Sequence, residues 1–355
     1  MTFLGIDTSC DETSAAVVER TSDGTCLIRS NVVSSQIDLH ARFGGVVPEM
    51  ASRAHIERIG PVVEAALSQA GAGVDGLHGV AVTAGPGLVG ALLVGVNFAK
   101  GLAYQHGLPL VSVHHIHGHL ESVFLAHPGL ERELPSLALV VSGGHTALYT
   151  VENGRRSARR YARIGTTRDD AVGEAYDKVS KLLGLGYPGG PIIEKLACKG
   201  NGNAVELPRH PKIGKTVNYD FSYSGLKSAV ARYVASKNIA PASSHEEALE
   251  RGDICDLAAS FQEAAVEMLR WTARRAAKRM KPRSLSVSGG VSVNRYLRER
   301  FATLGEELDV PAYFPPRELT TDNGAMIAYC GILGRRSALS PAKALALNAR
   351  ADWRF

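Results

Sequence analysis

Two stretches of the chain place a short polar turn between β-prone runs. From Phe3 to Glu19 (FLGIDTSCDETSAAVVE) and from Leu137 to Glu152 (LALVVSGGHTALYTVE), the turn is built of small polar residues with Gly or Asp. Each stretch predicts a hairpin whose tip presents backbone N–H groups able to hold phosphates. Two other stretches follow a different plan of strand, Gly-rich turn, helix and a second strand ending in polar residues. They run from Val80 to His119 and from Leu285 to Ala325, about 200 residues apart, which predicts a duplicated α/β unit rather than a short-period solenoid. A duplicated unit implies a cleft between its copies. The most apolar run, Ala84 to Ala99, contains several glycines and Pro86 and stops at Lys100, too short to span a bilayer, so it predicts a buried helix. Between Gly165 and Arg283 the pattern gives two helices and a loop rich in Pro, Gly and Lys from Pro208 to Lys215. The clearer helix covers Asp256 to Met280. Leu257, Phe261, Ala265, Met268 and Thr272 recur there at helical spacing, with Arg270, Arg274 and Lys278 on another face. The tail from Arg335 to Phe355 is basic and ends in a short amphipathic segment.

Composition narrows this picture without redirecting it. At 355 residues, the chain is expected to form two lobes of roughly 150 residues or one large α/β unit. With 45% hydrophobic and 21% charged residues and 37 glycines, it suits a globular α/β protein with many tight turns and excludes a disordered or fibrous one. The formal charge of +5 is compatible with a polyanionic partner but does not establish one. Five widely spaced cysteines without a CxxC pair suggest neither a disulfide framework nor a cysteine zinc site, and fit a reducing cytoplasm. The opening Met-Thr-Phe-Leu-Gly-Ile-Asp already reads as a strand, which disfavours a signal or transit peptide.

The richest chemical feature is His114-His115-Ile116-His117-Gly118-His119, four histidines in six residues where a strand runs into a helix. His115 and His119 are four apart, so a helix aims both imidazoles along one face, the spacing of a bidentate metal grip. Asp322 in TTDNGAM occupies the corresponding place in the second copy of the unit and is the candidate third ligand; its ordinary reading is a helix N-cap. Two nitrogens and a carboxylate suit Fe(II) or Zn(II), and the set does not decide between them. A metalloprotease is excluded because HExxH needs Glu where Ile116 stands.

Adjacent glycines after a strand, in Val140-Val141-Ser142-Gly143-Gly144 and Ser288-Gly289-Gly290-Val291-Ser292, let the backbone approach an anion. Neither a GxxxxGK[ST] P-loop nor a GxGxxG fingerprint is present. Asp169, Asp170, Glu174 and Asp177 with Lys178 and Lys181 read as a charged helix start, followed by a rigid Tyr187-Pro188-Gly189-Gly190-Pro191 turn suited to one wall of a nucleoside pocket. Asp7, Asp11 and Glu12 at the first hairpin could hold a metal, position a water or act as general base, or else satisfy turn N–H groups. Cys10 has no basic partner beside it and is not taken as a nucleophile. Two basic clusters, Arg155, Arg156, Arg159, Arg160 and Arg163, and the stripe from Arg270 to Arg283, are compatible with a phosphate backbone or with a solvated face.

Taken together, GIDTSCDET, FGGVVPEMASRAH, TAGPGLVGALLVG, HHIHGHL, VSGGHT, DDAVGEAYDKVSKLLGLGYPGGP, FSYSGLK, SGGVSVNR and TDNGAMIAY resemble, in order and across nearly the whole chain, the bacterial tRNA N6-adenosine threonylcarbamoyltransferases. The resemblance implies an α/β fold of the two-lobed actin, Hsp70 and sugar-kinase (hexokinase-like) superfamily, with duplicated ribonuclease-H-like units and an interlobe cleft. Residues 1–133 would form the N-terminal lobe, completed by 324–355, and residues 134–323 the C-terminal lobe with a helical insertion. It implies that His115, His119 and Asp322 bind one divalent metal, Fe(II) or Zn(II). The nucleotide part of threonylcarbamoyl-AMP would contact Val140, Val141, Ser142, Gly143, Gly144, Asp177, Gly190, Glu194 and Asn294. Archaeal and eukaryotic relatives carry a Tyr just before VSGG, where this chain has Val140 and Val141, which points to the bacterial branch. Asp11 or Glu12 is the expected catalytic base. The implied partners are tRNA, an inactive paralogue subunit (TsaB-type) and a small ATPase (TsaE-type), in the cytoplasm and without a membrane. The competing expectations are an ATP-dependent small-molecule kinase of the same superfamily, which leaves the His115/His119 pair unemployed, and a non-catalytic partner subunit with a vestigial pocket.

Overall fold

Both predicted hairpins form, and each is widened by a third strand that the hydrophobic pattern does not announce. In the computed structural model, which describes residues 1–154, 159–210 and 218–355, β1 (Thr2–Asp7) pairs antiparallel with β2 (Glu12–Arg20), and β2 with β3 (Cys26–Ser35). Strand β4 (Gly79–Gly85) runs parallel to β1, and β5 (Leu110–His114) parallel to β4, giving the order β3-β2-β1-β4-β5. The second sheet repeats this plan. Strands β6 (Ser136–Val141), β7 (Thr146–Asn153) and β8 (Arg159–Thr166) are antiparallel, while β9 (Ser284–Ser288) and β10 (Ala312–Tyr313) add in parallel, in the order β10-β9-β6-β7-β8. The same order and the same sequence of pairings occur twice, which is the duplication in its full form.

The two extra strands escape a sequence reading because they carry no clean alternation. Strand β3 exposes Leu27, Ile28 and Val33, and β8 opens on arginines. Arg159 pairs with Glu131 and Arg160 with Glu152, so these two members of the first basic cluster are engaged with acids; Arg155 and Arg156 lie outside the described residues, as do residues 211–215 of the expected Lys-rich loop.

The chain divides into two compact units, one of Met1–Leu39, Val46–Gly129 and Pro315–Phe355, the other of His40–Gly45 and Leu130–Phe314. Helix α1 (Ile37–Ala41) precedes α2 (Pro48–Gln69), α3 (Val89–Gln105) and α4 (His115–Ala126). The apolar run is helical from Val89 onward, in α3, which buries Ala91, Leu92, Val96 and Ala99, whereas its first residues Ala84 and Gly85 end β4. Where two helices were expected there are, among the described residues, five: α5 (Val172–Leu182), α6 (Gly189–Ala197), α7 (Ser224–Lys237), α8 (His245–Glu250) and α9 (Gly252–Met280). The short α6 and α8 have too few turns for a period to show. In α9 the predicted stripe holds, but Arg270 is buried rather than solvated, pairing with Glu267 at 3.0 Å and with Glu307. Helices α10 (Arg295–Leu308), α11 (Gly324–Gly334) and α12 (Pro341–Ala344) complete the chain. Each unit has its own core, around Leu4, Ile6, Val80 and Val82 in the first and Tyr176, Phe261, Leu285 and Val287 in the second. No helix among the described residues is long and apolar enough to cross a membrane.

Candidate functional site

The histidine motif lies where β5 ends and α4 begins. His114 is the N-cap, its Nδ1 accepting from the Ile116 N–H at 3.2 Å, and this cap sets His115 and His119 one turn apart on a single face. Their ring centroids are 4.7 Å apart. Asp322 comes from the segment before α11. It is not the cap of that helix, as its ordinary reading would have it, because Asn323 takes that position and its Oδ1 accepts from the Met326 N–H at 3.0 Å. The Asp322 carboxylate turns to the histidines instead, with Oδ1 3.1 Å from His119 Nε2 and 3.5 Å from His115 Nε2. One donor atom from each of the three residues lies within 4.8 Å of the others.

His119 is fully buried and neither ring nitrogen makes a hydrogen bond, since Nε2 approaches Asp322 without hydrogen-bond alignment. A buried imidazole without hydrogen bonds is costly in a protein that holds nothing there, and is accounted for when a nitrogen ligates a cation. Two imidazole nitrogens and a carboxylate oxygen therefore fit a divalent metal in chemistry as well as in placement.

Behind His115 stand two residues to which sequence reasoning gave no such part. His115 Nδ1 is 3.2 Å from Asp7 Oδ2 and 3.1 Å from Ser9 Oγ, and the Ser9 N–H donates to Asp7 Oδ1 at 2.9 Å. An ionised carboxylate only accepts, so Nδ1 carries a proton and Nε2 faces Asp322 and His119 as the ligating nitrogen. Burial works to lower the His115 pKa, but the Asp322 and Asp7 carboxylates together push it up to about 9. Without a metal the ring is thus favoured as an imidazolium between two acids, and a cation bound at Nε2 would have to displace the proton there. Replacing Asp7 by Asn should weaken metal binding by about 10- to 100-fold, the usual cost of losing such a partner, because an amide N–H turned toward Nδ1 favours the wrong tautomer. A competition titration of the metal-free variant with a chromogenic chelator measures this directly.

Asp11 and Glu12 sit where the first hairpin turn enters β2. Asp11 is buried, and the Gln36 N–H donates to its carbonyl at 3.0 Å. Burial, then the carboxylates of Asp11 and Asp322, push the Glu12 carboxyl well above the usual carboxylate range. Burial likewise raises the Cys10 thiol, with Asp11 and Asp322 adding to it, which disfavours a thiolate and agrees with setting Cys10 aside.

The remaining candidates all belong to the second unit. Val140 and Val141 are fully buried, so a ligand there would meet main chain only, whereas Gly143 and Gly144 are exposed at a tip closed by Ser142 N–H to His145 carbonyl at 2.8 Å. Helix α5 starts against this tip, since a Cβ on Gly173 would lie 2.7 Å from the Ser142 carbonyl oxygen. Asp177 Oδ1 accepts from the Gly189 N–H at 2.7 Å, at the start of α6. Glu194 Oε1 accepts from the Arg295 N–H at 2.7 Å, and Asn294 caps α10 through Leu297 N–H at 2.9 Å while donating to Gln262 Oε1 at 2.9 Å. These residues gather at helix N-termini, where an anion is stabilised. Asp169 and Asp170 are not helix-start charges. They precede α5, Asp169 accepting from the Tyr223 N–H and the Ser224 hydroxyl at 2.7 Å each, and Asp170 pairing with Lys178 at 2.6 Å and Lys227 at 2.7 Å.

Comparison with known proteins identifies relatives of the chain as a whole. Residues 27–329 match the family described as TsaD, tRNA N6-adenosine threonylcarbamoyltransferase. Proteins of that name from Moorella thermoacetica and Geobacillus thermodenitrificans are each 50% identical to this chain. The first aligns over 325 residues (92% of this chain, 89% of the relative) and the second over 346 residues (95% and 94%). Among solved structures, the chain is similar to full-length HypF in its phosphate- and nucleotide-bound form (14% identity, 96% of this chain, 56% of that chain, TM-score 0.59). It is also similar to component A of the (R)-2-hydroxyglutaryl-CoA dehydratase of Acidaminococcus fermentans (14% identity, 97% and 99%, TM-score 0.54). At such identities the likeness concerns the fold alone, and that fold is the expected α/β one with a repeated five-stranded plan. With half its residues shared over nearly its whole length, and with the family match covering residues 27–329, the chain belongs to the tRNA N6-adenosine threonylcarbamoyltransferase family.

Proposed function

We propose that this protein transfers the threonylcarbamoyl group of threonylcarbamoyl-AMP to N6 of adenosine 37, beside the anticodon, in tRNAs that read ANN codons. The observation that carries the reading is the cluster of buried His115 and His119 with half-buried Asp322, which neither a kinase nor a vestigial subunit would need. Two histidines and one carboxylate are the donor set of Fe(II) sites with open positions, with Zn(II) the alternative. A dication held there supplies positive charge that holds the threonine-derived part of the donor and polarises its carbonyl.

The rest of the chemistry falls to the chain's own residues. The N6 amine attacks the carbamoyl carbonyl carbon, an N–C bond forms, the bond to the AMP phosphate oxygen breaks, and a proton leaves N6. Asp11 or Glu12, the two carboxylates of the β1–β2 turn, accepts that proton. The Gly143–Gly144 tip and the starts of α5, α6 and α10 stabilise the departing phosphate, while Asp177, Gly190, Glu194 and Asn294 contact the nucleoside side. The exocyclic N6 of adenine is a weak nucleophile because its lone pair is delocalised into the ring, so its orientation accounts for much of the rate. The reaction is placed in the bacterial cytoplasm, with the inactive paralogue (TsaB-type) and the small ATPase (TsaE-type) as helpers.

Purified protein supplied with those partners, a source of threonylcarbamoyl-AMP made from labelled threonine, and an unmodified ANN-decoding tRNA should place label on the tRNA adenosine. No label, with a positive-control enzyme active in the same mixture, would overturn the reading in favour of a kinase or a non-catalytic subunit.

A further inference from the structure

The ASRAH stretch of α2 lies within one of the family-like motifs, yet none of the chemistry above employs it. Its histidine, His55, is fully buried and reaches the β1–β2 turn. Nε2 lies 3.0 Å from the Cys10 carbonyl oxygen. A carbonyl can only accept, so Nε2 bears the proton and Nδ1 is the bare nitrogen. At 2.7 Å from Nδ1 is the Thr13 hydroxyl, which then donates to it. Burial pushes the His55 pKa down, in keeping with a neutral ring. The two bonds clasp the residue just before Asp11 and the residue just after Glu12. From the same side, the Gln36 amide nitrogen lies 3.4 and 3.5 Å from the two ring nitrogens, and the Gln36 N–H donates to the Asp11 carbonyl.

From this geometry we infer that His55 is a positioning residue for the Asp11–Glu12 turn: one neutral imidazole, in its Nε2–H form, holds the Cys10 main chain before the two carboxylates and the Thr13 side chain after them. The inference rests on the base role proposed for that turn. A residue that only filled space could be replaced by any apolar side chain of similar size. His55 instead meets one acceptor and one donor on two residues flanking the carboxylates, and few side chains present both atoms at that spacing. A misplacement of the order of 1 Å at a reacting group can cost about 10²-fold in rate, which sets the size of the expected effect.

The test compares His55→Leu, which removes both bonds at similar volume, with His55→Gln, whose side-chain nitrogen can still donate to the Cys10 carbonyl. An Asp11→Ala/Glu12→Ala double variant is assayed beside them. His55→Leu should lose about 10²-fold in kcat with KM for tRNA and metal content unchanged, and His55→Gln should return to within about threefold of wild type. Ring nitrogen chemical shifts of the unsubstituted protein should show a protonated Nε2 and a bare Nδ1. A folded His55→Leu protein with wild-type kcat, beside an inactive double variant, would overturn the inference while leaving the turn's base role standing. Full activity in the double variant would overturn both. An Nδ1–H tautomer would overturn the inference by itself, and with His55→Gln it decides the matter should His55→Leu fail to fold.

Discussion

Changing His115 and His119 together to Ala should give a folded protein that holds no metal at this centre and transfers threonylcarbamoyl at least about 10³-fold more slowly, a loss of about 4 kcal/mol at 1.36 kcal/mol per factor of ten. The variant should fold because the side chains removed contribute little to the metal-free protein. His119 makes no hydrogen bond, and His115 is a buried cation whose attraction to Asp7 and Asp322 is offset by its desolvation. What remains is a cavity on the buried face of α4, costing about 2–4 kcal/mol, within reach of a domain with a core of this size. Asp7 keeps the Ser9 N–H, and Asp322 is exposed enough to hydrate. Function, by contrast, loses two of three donors at once, and Asp322 alone cannot hold a dication against water. Elemental analysis of the purified variant, circular dichroism and the labelled-threonine transfer assay separate the three expectations. Unchanged metal content in a folded double variant would refute the ligand assignment, and loss of metal with undiminished transfer would refute its part in the reaction.

What a sequence reveals of such a centre depends on how local the geometry is. His115 and His119 were legible because a helix converts a spacing of four into a shared face. The repeated hairpins and strand-turn-helix units were legible because each carries its own period and its own turn residues. Asp322 could be picked out only because the duplication pairs its segment with the histidine segment. Asp7 was visible as a carboxylate but not as the partner of His115, which stands 108 positions away. His55 and the Cys10 carbonyl, 45 positions apart, are joined by a helix packing on a turn, and nothing in either stretch encodes that contact. Glu194 and Asn294 came only from family resemblance. Their structural employment at the start of α10, one accepting from Arg295 and the other capping the helix, would have required knowing which helices converge there.

The other large effect is expected from adding a small apolar side chain where two stretches of main chain cross. Helix α11 lies directly on β1 and β2, with glycines at the crossing. A Cβ built on Gly5 would collide with the Gly324 carbonyl and the Ala328 main chain, and one on Gly324 would fall 2.5 Å from Ala16 N and 2.6 Å from Ala15 C. These neighbours are backbone on both sides, so no rotamer change relieves them and the helix must lift off the sheet. That distinguishes the crossing from Gly118, where the nearest atoms, at 3.0 Å, belong to the flexible ends of Ile327 and Met326. Gly5→Val should therefore destabilise the protein by about 3 kcal/mol or more, at or above the top of the usual overpacking range. At about 2–4 °C per kcal/mol, that lowers Tm by roughly 6–12 °C. Gly60→Ala, on α2 with nothing within 4 Å of the added carbon, should be neutral or stabilising by up to about 1 kcal/mol and serves as the control. Lifting α11 also moves Asp322, two residues before its first turn, away from the α4 histidines. Metal affinity should then fall in Gly5→Val protein that is still folded, as read by chelator competition well below its Tm. A Gly5→Val variant within about 1 kcal/mol of wild type in chemical denaturation would mean that α11 can yield at the crossing, and would remove the reason for holding that the packing of this helix sets the third ligand.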